Sequence, residues 1–162
     1  MQTLTVSEVE KVLETVSDPE IPTVSIVDLG MVENITVDGD KVKVELLPTF
    51  LGCPALGIIQ NNVIRALSKL TAEENITVTF IKSPPWTTAR ITEKGAAGLK
   101  EYGIAPPPIR VDENGNWEIH CPYCGSPHHV IENLFGPSAC RSILYCKSCK
   151  NPFEAMKPLS TL

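Results

Sequence analysis

Five of the six cysteines in this chain fall in its last 42 residues, and four of those form two C-x2-C pairs, Cys121–Cys124 and Cys146–Cys149, separated by 21 residues. Each pair favours a tight turn that aims two thiolates at one ion, and two such turns close a tetrahedral four-sulfur site. The gap is one residue beyond the usual window for paired C-x2-C motifs, a small departure because hairpin length varies. A segment this short cannot bury enough apolar surface by itself, so metal binding supplies its folding energy. The expectation is a β-rich zinc ribbon with one structural zinc. A single iron in the same cage is the competitor, since ligand type alone does not separate the two. Four protein ligands leave no open coordination position, which argues against catalysis at this metal. Cys140 has no C-x2-C partner and reads as a small buried hydrophobe. His120, His128 and His129 read as surface or strand residues, because four sulfurs already close the site.

The remainder of the 162 residues is large enough to bury a core of its own, with 43% hydrophobic and 20% charged content overall. Residues 1–120 carry a formal −7 and residues 121–162 carry +2, within a net charge of −5. That balance argues against a general polyanion binder. The 19 residues from 46 to 64 contain no charge, yet they hold two prolines, two glycines and three amides. They read as a loop followed by a buried helix, since a span needs about 20 predominantly apolar residues. The first residues show neither a basic nor an apolar leader region, which makes the cytosol the expected compartment. Thiols stay reduced there, which again favours metal over disulfide.

Periodicity outlines the first part as α-β-β-α-β-α. Ser7 and Glu10 are read as a capping box opening a helix with Val9, Val12, Leu13 and Val16 inward, ended by Asp18-Pro19. A hairpin over 32–37 and 42–46 turns at Asp38-Gly39-Asp40. Pro54 opens a helix to about residue 70, with Leu56, Ile59, Val63, Leu67 and Leu70 on one face. A third strand covers 76–82. A helix near 92–102 is weakened by Gly95 and Gly98 and stopped by Gly103. The fold class expected is α+β, a small mixed sheet of about three strands with helices packed on it. The expected layout is a first domain over 1–103, a proline-rich linker over 104–116 and the ribbon over 117–162.

Cys53, in Thr49-Phe50-Leu51-Gly52-Cys53-Pro54, stands immediately before a helix. A sulfur at or near the N-cap is favoured as thiolate, and Gly52 admits close approach of backbone or ligand. A buried helix-capping cysteine would look the same. No histidine occurs in residues 1–119, which excludes a Cys–His pair within the first domain and points to soft-metal or cluster chemistry. The loop containing Asp18, Glu20 and Asp28 is stiffened by Pro19 and Pro22. Its carboxylates either assist metal binding near Cys53 or cap local turns, and spacing alone favours capping.

With Asp18-Pro19-Glu20-Ile21-Pro22, Val27-Asp28-Leu29-Gly30 and the Cys53 loop in view, residues 8–82 resemble the iron–sulfur cluster assembly domain family, which includes the SUF-associated T proteins. The stretch from Ser83 to Thr88, the segment 91–107 and the cysteine ribbon extend the resemblance to the D subunits of phenylacetyl-CoA epoxidase systems. That resemblance implies a cytoplasmic accessory role in phenylacetate catabolism, with the epoxidase subunits as protein partners. It also implies that Cys53 handles iron or a cluster transiently, with Asp18, Glu20, Asp28 and Thr49 at the surrounding motif positions, and that Cys121, Cys124, Cys146 and Cys149 are the ribbon ligands. Cys140 matches a further ribbon cysteine. Two departures stand out: Ala89-Arg90 where the family commonly has Asp-Trp, and Met156-Lys157-Pro158 where Phe-Lys-Cys is usual.

The function expected is that of a non-catalytic maturation factor. One alternative is an integral scaffolding subunit of the epoxidase complex. A second is a nucleic-acid-binding ribbon using Arg141, Lys147, Lys150 and Lys157 with Tyr145 and Phe153 as stacking platforms, a thin basis beside the acidic body. An exposed hairpin edge permits a homodimer.

Overall fold

The helix that opens the chain, α1 (Val6–Leu13), begins immediately after its own cap: Thr5 Oγ1 accepts the Glu8 N–H at 3.3 Å and the Glu8 carboxylate accepts the Thr5 N–H at 2.9 Å. The capping box is therefore Thr5–Glu8, not Ser7–Glu10. Both pairs fit the pattern, and Ser7 lies inside the helix. In this computed structural model, residues 3–49, 53–108, 113–114, 118–137 and 140–157 are described.

α1 buries Val9 and Leu13 and ends before Asp18-Pro19, because Ser17–Asp18 (β1) pairs antiparallel with Ile21–Ser25 (β2). The stretch between the first helix and the hairpin, to which periodicity assigned no element, thus contains a short strand pair. The hairpin is as anticipated: Val32–Asp38 (β3) pairs antiparallel with Lys41–Leu46 (β4), with Gly39 in the left-handed region at φ 60°. β4 alternates Val42, Val44 and Leu46 inward against exposed lysines. It then pairs in parallel with Ile76–Phe80 (β5), Val44 opposite Val78. The helix α2 (Leu56–Leu67) makes the crossover between them and buries Ile59, Val63 and Leu67, each spaced for one face. Leu70 lies beyond its end, 36% exposed. The result is a mixed three-stranded sheet with α1 and α2 against it, as the α+β reading required.

α3 (Glu93–Glu101) is capped by Thr92, whose hydroxyl accepts the Gly95 N–H at 3.0 Å. It packs on β2 at unusually short range. A Cβ on Gly95 would lie 2.4 Å from Asp28 O, and one on Gly98 would lie 2.6 Å from Thr23 O. The two glycines expected to weaken this helix are what allow it to dock. Gly103, at φ 84°, then turns the chain into Ile104–Ala105 (β6).

β6 falls where a linker was anticipated, yet it pairs in parallel with the last strand of the ribbon, Pro152–Met156 (β9). With His129–Asn133 (β7) and Arg141–Cys146 (β8) it forms a four-stranded sheet in the order β6-β9-β8-β7. Ile104 and Met156 join the core of the first module, while Ala105, Ile119, Leu144, Phe153 and Ala155 form a second small core with the cysteines. Among the described residues no helix is long and apolar enough to cross a membrane.

Candidate metal centre and the cysteine loop

The two C-x2-C turns fold alike. After each pair the chain takes one residue in the left-handed region, Gly125 at φ 75° and Lys150 at φ 62°. Gly125 N–H donates to Cys121 O at 2.8 Å and Lys150 N–H to Cys146 O at 3.0 Å. Cys121 N–H donates to Ser126 O and Cys146 N–H to Asn151 O, both at 2.9 Å. This shared hydrogen-bond pattern gives two equivalent knuckles facing each other at one end of the sheet.

Their four sulfurs lie within 4.8 Å of one another. Cys121 Sγ is 3.7 Å from Cys149 Sγ, and Cys124 Sγ is 3.6 Å from Cys146 Sγ. A tetrahedron with metal–sulfur bonds of about 2.3 Å has an edge of about 3.8 Å, so the cage already has the dimensions of a tetrahedral thiolate site. Donors to the sulfurs are in place as well: the Cys149 N–H reaches Cys146 Sγ at 3.5 Å and Asn151 Nδ2 reaches Cys149 Sγ at 3.6 Å. The Cys149 amide, assisted by that of Ser148, lowers the Cys146 thiol to about 6. The Ser126 amide pulls Cys124 the same way, but burial and the neighbouring sulfurs overcome it and raise Cys124 to about 11. Four thiolates cannot crowd together without a cation, so the protons distribute unevenly until one arrives.

Cys140 is buried, as expected of a packing residue, and its carbonyl accepts the Lys157 N–H at 2.9 Å. The histidines stay on the surface or along the strand. His120 Nδ1 is 3.2 Å from Gly125 O and His129 Nδ1 is 2.9 Å from Pro127 O. The nucleic-acid reading loses two of its supports. Phe153 is 3% exposed in the ribbon core, and Arg141, 6% exposed, is held by Glu154 at 2.8 Å.

In the first module Cys53 is half-buried and packs against the main core, and its carbonyl accepts the Leu56 N–H at 3.4 Å. The cap of α2 is Ala55, without a side-chain hydrogen bond, so Cys53 stands two residues ahead of the cap rather than on it. Thr49 is half-buried in the bend before it. Gly52, to which close approach was assigned, lies outside the described residues. The carboxylates have local work. Asp18 Oδ1 accepts the Glu20 N–H at 2.8 Å, and burial raises its pKa above the ordinary aspartate value despite that bond and the one from Ile21. Glu20 lies 3.9 Å from the Arg141 guanidinium of the ribbon. Asp28 accepts the Ser25 hydroxyl at 3.0 Å and that of Thr92 at 2.9 Å, tying β2 to the start of α3. Among the described residues the ribbon cysteines are the only group of three or more His, Cys, Asp or Glu side chains close enough to share an ion.

Two residues that the sequence reading passed over hold the loop around Asp28. Trp86 Nε1 donates to Leu29 O at 2.8 Å, and Arg90 donates to Gly30 O at 2.7 Å and Val32 O at 3.2 Å while pairing with Glu33 at 2.8 Å. Arg90 is, with Ala89, one of the two residues that the resemblance marked as a departure, and its guanidinium fork braces this loop. The one clue in the sequence is Gly30, at φ 72°, where a Cβ would meet Arg90 at 2.4 Å.

Residues 7–80 match the iron–sulfur cluster assembly protein family, and residues 105–157 match the PaaD zinc beta ribbon domain. The chain is 35% identical to the Escherichia coli (strain K12) protein named as the D subunit of a "Putative 1,2-phenylacetyl-CoA epoxidase", over 94% of this chain and 92% of that one. It is 34% identical to "Fe-S protein maturation auxiliary factor YitW" of Bacillus subtilis (strain 168), over 54% of this chain and 85% of the other. A solved domain of unknown function, DUF59, from Bacillus anthracis superposes with a TM-score of 0.53 at 33% identity, covering 57% of this chain and 89% of that one. An assembly module carrying a four-sulfur ribbon, matched along nearly its whole length, places the chain in the family of phenylacetyl-CoA epoxidase D subunits.

Proposed function

We propose that the chain is a non-catalytic maturation factor for a phenylacetyl-CoA epoxidase, with Cys53 holding or handing on iron or an iron–sulfur cluster and the ribbon docking the recipient. The observation that carries this reading is the joining, in one chain, of a module shared with Fe-S protein maturation auxiliary factors and a ribbon shared with the D component of an epoxidase. Zinc is the ion assigned to the ribbon, since a four-thiolate tetrahedral cage suits it and a closed site needs no redox metal. Cys121, Cys124, Cys146 and Cys149 would hold it, and the ion would fix the two knuckles. Thr49 lies in the bend before Cys53, and the motif carboxylates brace their own loops rather than ligate, in keeping with the hydrogen bonds of Asp18 and Asp28 and the approach of Glu20 to Arg141.

The ribbon's docking role is supported by its exposed apolar side chains. Val130, Ile131, Leu134 and Phe135 lie along the edge strand β7 and the turn after it, Phe135 being 73% exposed. Lys157 Nζ sits 4.6 Å over the Phe135 ring and keeps a positive charge beside the patch. The same surface favours a second reading, a permanent scaffolding subunit; fixed stoichiometry with the catalytic subunits through purification distinguishes that from a transient factor.

The decisive experiment replaces Cys53 with alanine. The variant is expected to keep its fold and one ribbon metal per chain while the epoxidase produced with it lacks iron. An epoxidase fully loaded with metal beside the variant refutes the assignment to Cys53.

A further inference from the structure

Outside the two cysteine sites the molecule carries a cleft of about 430 Å³ between the α1–β1 connection and α2. That volume lies in the range of small-ligand sites. One wall is apolar and stiff, made by Val16, Pro19 and Pro22, and the other presents Asn62 and Arg65 from α2 and Lys69 from the turn after it. Arg65 and Lys69 are two exposed cations on the lining of the same cleft. Among the described residues neither has an ion-pair partner.

The nearest acid does not neutralise them. Asp18 also lines the cleft, but its Oδ1 is taken by the Glu20 amide and the cation acting on it is Arg141 of the ribbon. The cleft therefore holds two cations and one carboxylate, an excess of positive charge opposite the proline wall. A dianion would meet the Asp18 carboxyl and a body carrying −7, which favours a singly charged guest.

We propose that this cleft binds a carboxylate borne on a small apolar group, with Arg65 and Lys69 as counter-charges, Asn62 as a neutral hydrogen-bonding partner and the proline wall covering the apolar part. Arg65 supplies a planar fork suited to two carboxylate oxygens, and Lys69 a point charge from the turn that follows the helix. The carboxylate comes either from a free organic acid or from an acidic side chain of a protein partner, and the chemistry of recognition is the same.

The test titrates the full chain with benzoate, with the neutral isostere benzamide, and with the capped peptide acetyl-Phe-Glu-Leu-amide, following backbone amide shifts by NMR. Benzoate is expected to saturate at the amides of residues 17–18, 62 and 65–69 with a Kd of about 1 mM or tighter, and benzamide to leave them unmoved. The R65Q/K69Q double variant should bind at least about tenfold more weakly, since each charge-assisted hydrogen bond removed is worth roughly that factor. Both side chains are exposed, so the far-ultraviolet spectrum and unfolding midpoint of the variant should match the parent; R65Q alone serves as the milder substitution. A peptide binding more than tenfold tighter than benzoate assigns the carboxylate to a protein partner, and the reverse order assigns it to a free acid. Absence of saturable shifts at these amides with both probes, equal response to benzamide, or undiminished binding by the double variant overturns the proposal.

Discussion

Gly98→Ala probes the close approach that fixes α3 against β2. A Cβ at this position would sit 2.6 Å from Thr23 O and 2.9 Å from Val24 Cγ2, where ordinary contact begins near 3.4 Å. The obstacle is backbone, which has little freedom to move, and Thr23 Oγ1 already donates to Gly98 O at 2.6 Å. Helix and strand must part, losing that hydrogen bond and loosening Leu99, which is fully buried. Overpacking costs about 1–3 kcal/mol and the broken hydrogen bond about 0.5–1.5 kcal/mol. Against them stands a gain of about 1 kcal/mol from the better helix former. The net is a destabilisation of about 1–3 kcal/mol, read as a fall of about 2–4 °C in Tm per kcal/mol for a chain of this size. Gly57→Ala is the internal control. It lies in α2 with nothing within 4 Å of the new Cβ, so the same substitution should stabilise, by up to about 1 kcal/mol. Paired thermal melts decide the matter: two variants shifting in the same direction would refute the claim that close approach, rather than helix propensity, sets the sign at Gly98.

Metal removal and acid should separate the two modules. Stripping the ribbon with a strong chelator, or replacing Cys146 by serine, is expected to abolish the single bound metal in elemental analysis and to unfold β7–β9 while leaving the α1–α3 module helical. The apparent binding energy of structural zinc, about 10–16 kcal/mol, exceeds what so small a core supplies. Asp18→Asn should raise Tm at pH 7. Burial raises the Asp18 pKa in the folded state above its unfolded value. The charged form therefore costs stability at neutral pH, and that cost is relieved as pH falls through the raised native value toward the ordinary one. Asparagine keeps an oxygen for the Glu20 amide without the charge, so the advantage of the variant should shrink on acidification; an advantage that is constant or grows between pH 7 and pH 4 would contradict the assignment.

What the sequence disclosed follows from the range of the interactions involved. The inward faces of α2 and β4 were legible because Ile59, Val63 and Leu67, or Val42, Val44 and Leu46, encode a period along one segment. The four-sulfur site was legible because each knuckle is built from neighbours. The helix start was misjudged by two residues because Thr5-x-x-Glu8 and Ser7-x-x-Glu10 overlap and only the fold chooses between them. Gly95 and Gly98 read as helix breakers because propensity knows nothing of Asp28 O and Thr23 O, which lie far away in sequence. β6 stayed hidden for the same reason: two residues before three prolines carry no strand pattern, and their pairing with Glu154 and Ala155 is long-range. Lys150 gave no hint of its left-handed backbone except by analogy with Gly125 in the other knuckle.

Arg141 shows most clearly how long-range contacts change a residue's meaning. In sequence it is one of four cations on a weakly basic module; in the fold it is nearly buried between Glu154 of its own sheet and Glu20 of the acidic loop. A buried guanidinium is tolerable only while its partners remain, because an uncompensated buried charge costs several kcal/mol. Both carboxylates are about one-third exposed, so the pairing is partly screened and its value lies as much in orientation as in energy. Arg141 opens β8 and the ligand Cys146 closes it. A single six-residue strand thus runs from a guanidinium paired with the Asp18–Glu20 loop to a cysteine of the four-sulfur cluster. β6 and Met156 bind the same sheet into the first core from the opposite edge. The ribbon sheet is therefore joined to the acidic loop through Arg141 and to the first core through β6 and Met156, so a change in β8 reaches the loop by direct contact rather than through a tether.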